Sequence, residues 1–207
     1  MSITPADLQS FEEEVAAAWE AGRIRGPVHL GGDESGDYYR QLIEIFSDVD
    51  KENDWVFCSY RSHCHALLKG VPREQVMGKI LGGHSMTLQW AGYKFFSSAI
   101  VGGQLPIAVG VALALKRQGS KARVWAFCGD MAATIGVFHE VCNYAISYQL
   151  PITFIVEDNG LSCDTRTDEI WCRNPDPPMI DRYVTRFDYT RRWPHVGTGK
   201  FVDFPSL

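Results

Sequence analysis

The amino-acid sequence predicts an α/β fold, a parallel sheet with helices on both faces, and three observations carry that expectation. The runs RVWAFC (123–128) and ITFIVED (152–158) are apolar almost without alternation, as strands covered on both sides must be. An alanine-rich helical stretch joins them, long enough for the crossover of a β-α-β unit. The 207 residues, 45% hydrophobic and 22% charged, have the composition of a globular chain and the length to bury a sizeable core. Residues 1–207 are therefore expected to form a single domain.

The same numbers exclude several classes of function. A formal net charge of −5, with no basic patch interleaved with aromatics, leaves no footprint for nucleic acid. No apolar run approaches the ~18 residues that a membrane span needs. The acidic, amphipathic N-terminus lacks the basic segment and apolar core of a signal peptide. Six cysteines (58, 64, 128, 142, 163 and 172) form no C-x-x-C, and several sit in apolar runs. That pattern predicts reduced thiols in a cytoplasmic protein, without a disulfide framework or structural zinc.

In chain order, the N-terminal segment 1–24 holds a helix over 5–22, with Thr4 as N-cap, Pro5 at the first position and acidic residues early. RGPVHLGGDESG (25–36) is a glycine-rich loop, and YYRQLIEIFSDV (38–49) has helical spacing. DWVFCSY (54–60) reads as a short strand, followed by a helix over HCHALLKG (63–70) and another that Pro72 opens and that runs to about Gly78. The stretch 82–103 has many glycines and no period, and reads as a long loop. QLPIAVGVALALKRQG (104–119), small and apolar on nearly every side, is expected to be a buried helix. A helix from about Ala132 to Tyr148 follows the strand at 123–128. The tail, 172–207, is rich in Pro and Arg and too weakly periodic to specify a structure.

The chemistry concentrates in WAFCGDMAATIGVFHEVCNYA (125–145), where a Gly-Asp pair ends the strand and opens the helix. A carboxylate at the end of a buried strand is costly without a partner. The turn also presents unpaired backbone N–H groups and the positive end of a helix, a place for phosphate. Asp130 facing a phosphate implies a divalent cation between them, and EDNG at the end of the next strand brings Asn159 to the same sheet edge, 29 residues on. Oxygen ligands with a phosphate partner point to magnesium. A second reading stands beside this one, in which Asp130 only caps the helix and Asn159 closes a turn. The dinucleotide motif G-x-G-x-x-G does not follow the strand, and the P-loop motif does not occur.

A Gly-Asp turn followed about thirty residues later by an Asn resembles the signature of thiamine diphosphate enzymes. More closely, the chain resembles the alpha subunit of the decarboxylating component of 2-oxo acid dehydrogenases (pyruvate, branched-chain and acetoin types). SYRSHCHALLKGVPREQVMGKILG (59–82) is similar to that family's YRxH … LxGxP segment, GGHSM to its Gly-Gly-Ser-Met loop, and IVGGQLPIAVGVALALK to its next helix. GPVHLGGDE is similar to its first loop, so the resemblance covers 25 to about 165 in the family's own order.

The resemblance implies a thiamine diphosphate-binding fold, in a shortened form carrying the magnesium- and diphosphate-binding domain. It implies that Asp130, Asn159 and the backbone carbonyl of Leu161 hold Mg2+, and that Tyr60 and Arg61 contact the diphosphate, the arginine fork meeting phosphate oxygens in pairs. Gly129, Met131, Ala132 and Ala133 would line the diphosphate cradle, and Ile100, Val101 and Gly102 would flank the aminopyrimidine ring. His63 is the candidate to face the reacting carbon, against a structural reading of the same residue. His84 is the candidate to bind a substrate carboxylate or carbonyl. Cys64, His65, His139 and Glu140 read as packing residues. Met131 stands where the family usually has Gly, Asp158 where it has the first Asn of ENN, and Ser98 and Thr87 where it has histidines. The family's later loop around GHS, which carries a reacting histidine, has no counterpart after residue 165, where WPHVGTGKFVDF holds His195 in a different pattern.

In the family, the glutamate that activates the cofactor lies on a separate pyrimidine-binding domain. A beta-type partner subunit is therefore expected, in an α2β2 assembly, with the chain alone inactive. The expected function is an alpha-type subunit that decarboxylates a small 2-oxo acid and transfers the acyl or aldehyde unit, with a lipoyl carrier protein as one acceptor. Two alternatives stand: a split transketolase-like or carboligating enzyme that moves a two-carbon unit onto a sugar or aldehyde, and a degenerate, non-catalytic binding subunit.

Overall fold

The computed structural model describes residues 3–171 and 183–199. Cys172 and the remainder of the tail (172–182 and 200–207) lie outside the described residues. The first helix, α1, spans Pro5–Glu20 behind a capping box, in which Asp7 N–H donates to Thr4 Oγ1 (3.3 Å) and Thr4 N–H to Asp7 Oδ2 (2.8 Å). Helix α2 follows over Asp37–Ser47, strand β1 over Trp55–Cys58, and helices α3 and α4 over His63–Leu68 and Arg73–Leu81.

The stretch expected to be a loop holds two short strands, β2 (Gln89–Trp90) and β3 (Phe95–Ser97), joined through a 3-10 turn at Ala91–Tyr93. Strands of two and three residues are too short to display a period. Helix α5 is Gln104–Arg117, but only one side of it is covered, and Ile107 is exposed. Strand β4 (Val124–Gly129) leads into a single turn, α6 (Asp130–Ala133), and then α7 (Gly136–Ser147). The one helix expected here is therefore two. Thr134 Oγ1 donates to the Met131 carbonyl (2.8 Å), ending the first turn, and Ile135 is extended. Strand β5 (Ile152–Asp158), a small ribbon of β6 (Leu161–Ser162) and β7 (Thr165–Arg166), helix α8 (Thr167–Trp171) and strand β8 (Val184–Asp188) complete the order.

Among the described residues, six strands form one sheet in the order β2-β3-β1-β4-β5-β8, parallel except for the β2–β3 pair. Alternate residues of each central strand enter opposite cores. Trp125, Phe127 and Ile155 join the core under α1, α2, α3 and α4, whereas Val124, Ala126, Cys128, Phe154 and Val156 join the one under α5 and α7. The apolar runs in the sequence thus correspond to strands covered on both faces. Among the described residues, no helix is long and apolar enough to cross a membrane.

The loop between α1 and α2 is held from below by a buried carboxylate. Glu12 accepts from Gly31 N–H (2.7 Å), Gly32 N–H (2.7 Å) and Tyr39 OH (2.8 Å). Gly32 has no room for a side chain, because a Cβ would lie 1.8 Å from Tyr39 OH and 2.9 Å from Glu12 Oε2. Gly32→Ala is expected to lower stability by about 1–3 kcal/mol through overpacking, read from the urea unfolding midpoint. An unchanged midpoint would contradict this packing.

Candidate functional site

Ligand crevices in parallel sheets form at the carboxyl edge, where neighbouring strands send the chain to opposite faces. β1 and β4 are such a pair, leading to α3 and α4 on one face and to α7 on the other. Their following loops line one cleft. Tyr60 and Arg61 come from behind β1, and Gly129, Asp130, Met131 and Ala132 from the β4–α6 turn. Glu157, Asn159 and Leu161 come from the end of β5 and its continuation, and Val101 and Gly102 from the turn before α5.

Most of the residues singled out in the sequence thus meet on one surface. Ile100 does not line the cleft and is 71% exposed, and Ala133 is buried in the core. His63 and His84 do not line it either. His63 is buried with Nε2 2.8 Å from Ser85 Oγ, and His84 is exposed. Gly102 adopts φ +71°, and a Cβ there would lie 2.6 Å from Ile135 Cδ1, so the wall requires glycine. At the β4–α6 turn Gly129 is extended (φ −78°, ψ 166°), and the residue after Asp130 lies in helix, which is why Met131 is tolerated there.

Two charged side chains in this cleft each bury one polar atom that has no hydrogen-bond partner among the described residues. Asp130 is 8% exposed, and its Oδ2 has no hydrogen-bond partner among the described residues. Burial raises its pKa to about 6, against the opposing pull of backbone N–H groups at 130 and 131 and of Arg186 and Arg191. Arg61 Nε is likewise buried with no hydrogen-bond partner among the described residues. Asn159 Oδ1 accepts from Leu161 N–H (3.0 Å), and its Nδ2 donates to Tyr189 OH (3.1 Å). The amide oxygen therefore keeps a second lone pair. Among the described residues, no three His, Cys, Asp or Glu side chains are grouped to hold a metal by themselves. A cation beside Asp130 would complete its shell with amide, main-chain and phosphate oxygens, the donor set magnesium prefers. An anion bridging that cation and Arg61 would satisfy both orphaned groups, so the residues present fit a Mg2+–diphosphate pair.

Behind the cleft, burial holds His29 and His63 neutral. It takes His29 from 6.5 down to about 4, with Arg61 adding to the effect, and His63 to about 3, with His29 adding to it. Depressed histidine pKa values stabilise the fold above the unfolded value and lose that contribution as pH falls toward the folded value. The histidines' contribution is expected to be level from pH 6.5 to about 8 and to decline between 6.5 and about 4, by about 3 kcal/mol for His29 alone. Asp130, raised from 3.8 to about 6, and Glu12, raised by burial, act oppositely, so the difference between the parent and His29→Gln isolates the histidine's share. Urea midpoints at pH 7, 5.5 and 4.5 measure the slope, and His29→Gln should flatten it. An equally steep slope in that variant would contradict the assignment.

The pattern of the family described as Dehydrogenase E1 component matches residues 7–171. The chain belongs to this family. It is 33% identical over 169 residues to the pyruvate dehydrogenase E1 component subunit alpha of Rickettsia prowazekii (strain Madrid E), covering 76% of this chain and 50% of that protein. The corresponding Porphyra purpurea subunit is 32% identical over 171 residues (73% and 47%). The chloroplastic alpha-3 subunit of Arabidopsis thaliana is 32% identical over 203 residues (87% and 46%). The chain spans about half the length of the curated relatives it matches.

Residues beyond the family match also reach the cleft, and sequence reasoning missed them. Tyr189, Arg191 and His195 line it, carried there by β8 and the segment that follows. Arg186 on β8 pairs with Asp158, which accounts for an acid where the family has an asparagine. The signal available in the sequence was the β-prone run YVTRF ahead of them.

Proposed function

We propose that the chain is the alpha-type subunit of a two-subunit, thiamine diphosphate- and Mg2+-dependent enzyme that decarboxylates a 2-oxo acid and transfers the resulting acyl or aldehyde unit. The observation that carries this reading is a pair of buried atoms, Asp130 Oδ2 and Arg61 Nε, that have no hydrogen-bond partner among the described residues and belong to side chains on one cleft at the switch point of the sheet. Membership of the Dehydrogenase E1 component family supports it. Asp130, Asn159 and the Leu161 carbonyl would hold the ion, and Tyr60 and Arg61 the diphosphate. When bound, thiamine diphosphate supplies a nucleophilic carbon and an electron sink for loss of the carboxylate. The chain's own part is to hold the diphosphate end and to keep the cofactor seated through the Val101–Gly102 wall. The activating glutamate would come from a beta-type subunit, so the chain alone should not turn over.

A carboligating variant, with a small aldehyde or sugar as acceptor, draws support from one feature: the cleft is walled by residues 189–195, outside the family match. Calorimetric titration of thiamine diphosphate with Mg2+, with and without the beta-type partner, tests the main reading. Binding that depends on Mg2+ supports it, and no binding even with partner refutes it. Turnover by the chain alone would refute the partner requirement.

A further inference from the structure

Tyr189 and Arg191 also line a second cavity, of about 980 Å³, between α2 and the chain that leaves β8. Gln41 Nε2 donates to the Asp188 carbonyl (3.2 Å) and ties the two walls together. The wall from Asp188 to Arg192 lies beyond the residues that match the family. Five carboxylates line this cavity against three arginines, and each arginine already has an acid. Arg40 pairs with Asp37, Arg191 with Asp164 and Arg192 with Glu13. Glu34 and Glu44 line the cavity with no ion pair among the described residues.

The decisive group is Asp33, which lines the same cavity and is 5% exposed. Its Oδ2 accepts from Tyr38 N–H (3.2 Å) at the start of α2, but its Oδ1 is buried with no hydrogen-bond partner among the described residues. Ser35 Oγ lies 2.8 Å from Asp33 Oδ2 and 2.9 Å from Asp37 Oδ2, and a hydroxyl has one proton to give. The loop therefore holds more acceptor oxygens than donors, a costly state for a buried carboxylate.

A bare divalent ion does not suit this wall, because among the described residues no three His, Cys, Asp or Glu side chains are grouped to hold one. An ammonium group does suit it. Several N–H donors share one positive centre, so a single nitrogen can meet Asp33 Oδ1 and a neighbouring oxygen. Asp37, Gln41 and Glu44 follow at helical spacing on the cavity side of α2, and Glu44 stands about 10 Å along the axis from Asp37. A charged wall of that length suits a ligand with a second ammonium group several bonds from the first.

We propose that this cavity binds an organic polyamine, with one ammonium group on Asp33 and a second toward Glu44. The site stands apart from the Asp130 carboxylate and does not depend on the function proposed above.

The test titrates spermidine and, separately, MgCl2 into the full chain at pH 7, where the amines are cations. Calorimetry reads the affinity, and 15N NMR follows the Tyr38 amide, which donates to Asp33. Saturable spermidine binding that moves this amide is expected. Asp33→Asn should weaken it about 10- to 100-fold. Glu44→Gln, at an exposed position, should weaken it about 2- to 5-fold, and Glu74→Gln, exposed on α4 and off the cavity, should leave it unchanged. Affinity weaker than about 1 mM, or an unmoved Tyr38 amide, would overturn the proposal. So would affinity kept in Asp33→Asn, or lost equally in Glu74→Gln, which would mean diffuse attraction to an acidic surface. A Tyr38 amide that Mg2+ moves as readily as spermidine would make this a metal site and overturn it too. Should Asp33→Asn fail to fold, unchanged affinity in Glu44→Gln overturns the proposal by itself. Thiamine diphosphate is absent from every arm, so none of these results bears on the Asp130 cleft.

Discussion

Asp130→Ala is expected to weaken Mg2+-dependent binding of thiamine diphosphate at least about a hundredfold, while raising the stability of the cofactor-free chain. Groups that merely orient a metal ligand cost about 10- to 100-fold in affinity when removed, so loss of a ligating carboxylate should cost no less. The gain in stability follows from the orphaned Oδ2 and from a pKa raised from 3.8 to about 6. Because the folded chain holds this proton more tightly than the unfolded chain, ionising Asp130 penalises folding. The penalty is absent below about pH 3.8, builds between 3.8 and 6, and reaches about 3 kcal/mol above that range. At pH 7 the variant should therefore melt several degrees higher than the parent, and at pH 4 the difference should shrink to near zero. Scanning calorimetry at both pH values measures it. A variant that is less stable at pH 7 would make Asp130 a structural cap.

Glu12→Ala should have the largest effect on folding. The carboxylate is 2% exposed and accepts three hydrogen bonds, from two consecutive backbone N–H groups and from Tyr39 OH. Burial pushes its pKa up, and those same three donors pull it down. Removing it strands three buried donors at once, a cost of about 3–5 kcal/mol by analogy with broken buried pairs. Glu12→Gln, which keeps acceptor capacity in one oxygen, should cost less. The same loop carries His29, whose ring lies 4.5 Å from Tyr60, so weakened cofactor binding should accompany the loss of stability. Guanidinium unfolding reads the first effect and calorimetric titration the second. A loss below about 1 kcal/mol for Glu12→Ala would contradict the role given to this carboxylate.

The centre of the fold was legible because its signals are local. The strands β4 and β5 are apolar runs, and the Gly-Asp turn and EDNG end them at the same edge, so Asp130 and Asn159 reach one cleft. The outer parts were not. VTRFD in β8 buries Phe187 alone on its inner side and sends Arg186 to Asp158, a pairing across 28 residues that no local pattern encodes. His195 depends on the Arg191–Asp164 pair in the same way. His63 was singled out by its motif, but α3 is buried along its whole length, and that burial turns the ring toward Ser85 rather than the cleft. Helix α5 looked buried on all sides because its composition is apolar throughout. Composition cannot say that one face is left open, and Ile107 is exposed there.

The most direct test of the account is the location of a divalent ion. Crystals of the chain with its partner, grown with thiamine diphosphate and Mn2+ in place of Mg2+, would show the ion by anomalous scattering. The account predicts one peak about 2.0–2.2 Å from an Asp130 carboxylate oxygen, Asn159 Oδ1 and the Leu161 carbonyl, with a diphosphate oxygen on its far side toward Arg61. No peak at that edge, or an ion held by other residues, would contradict it.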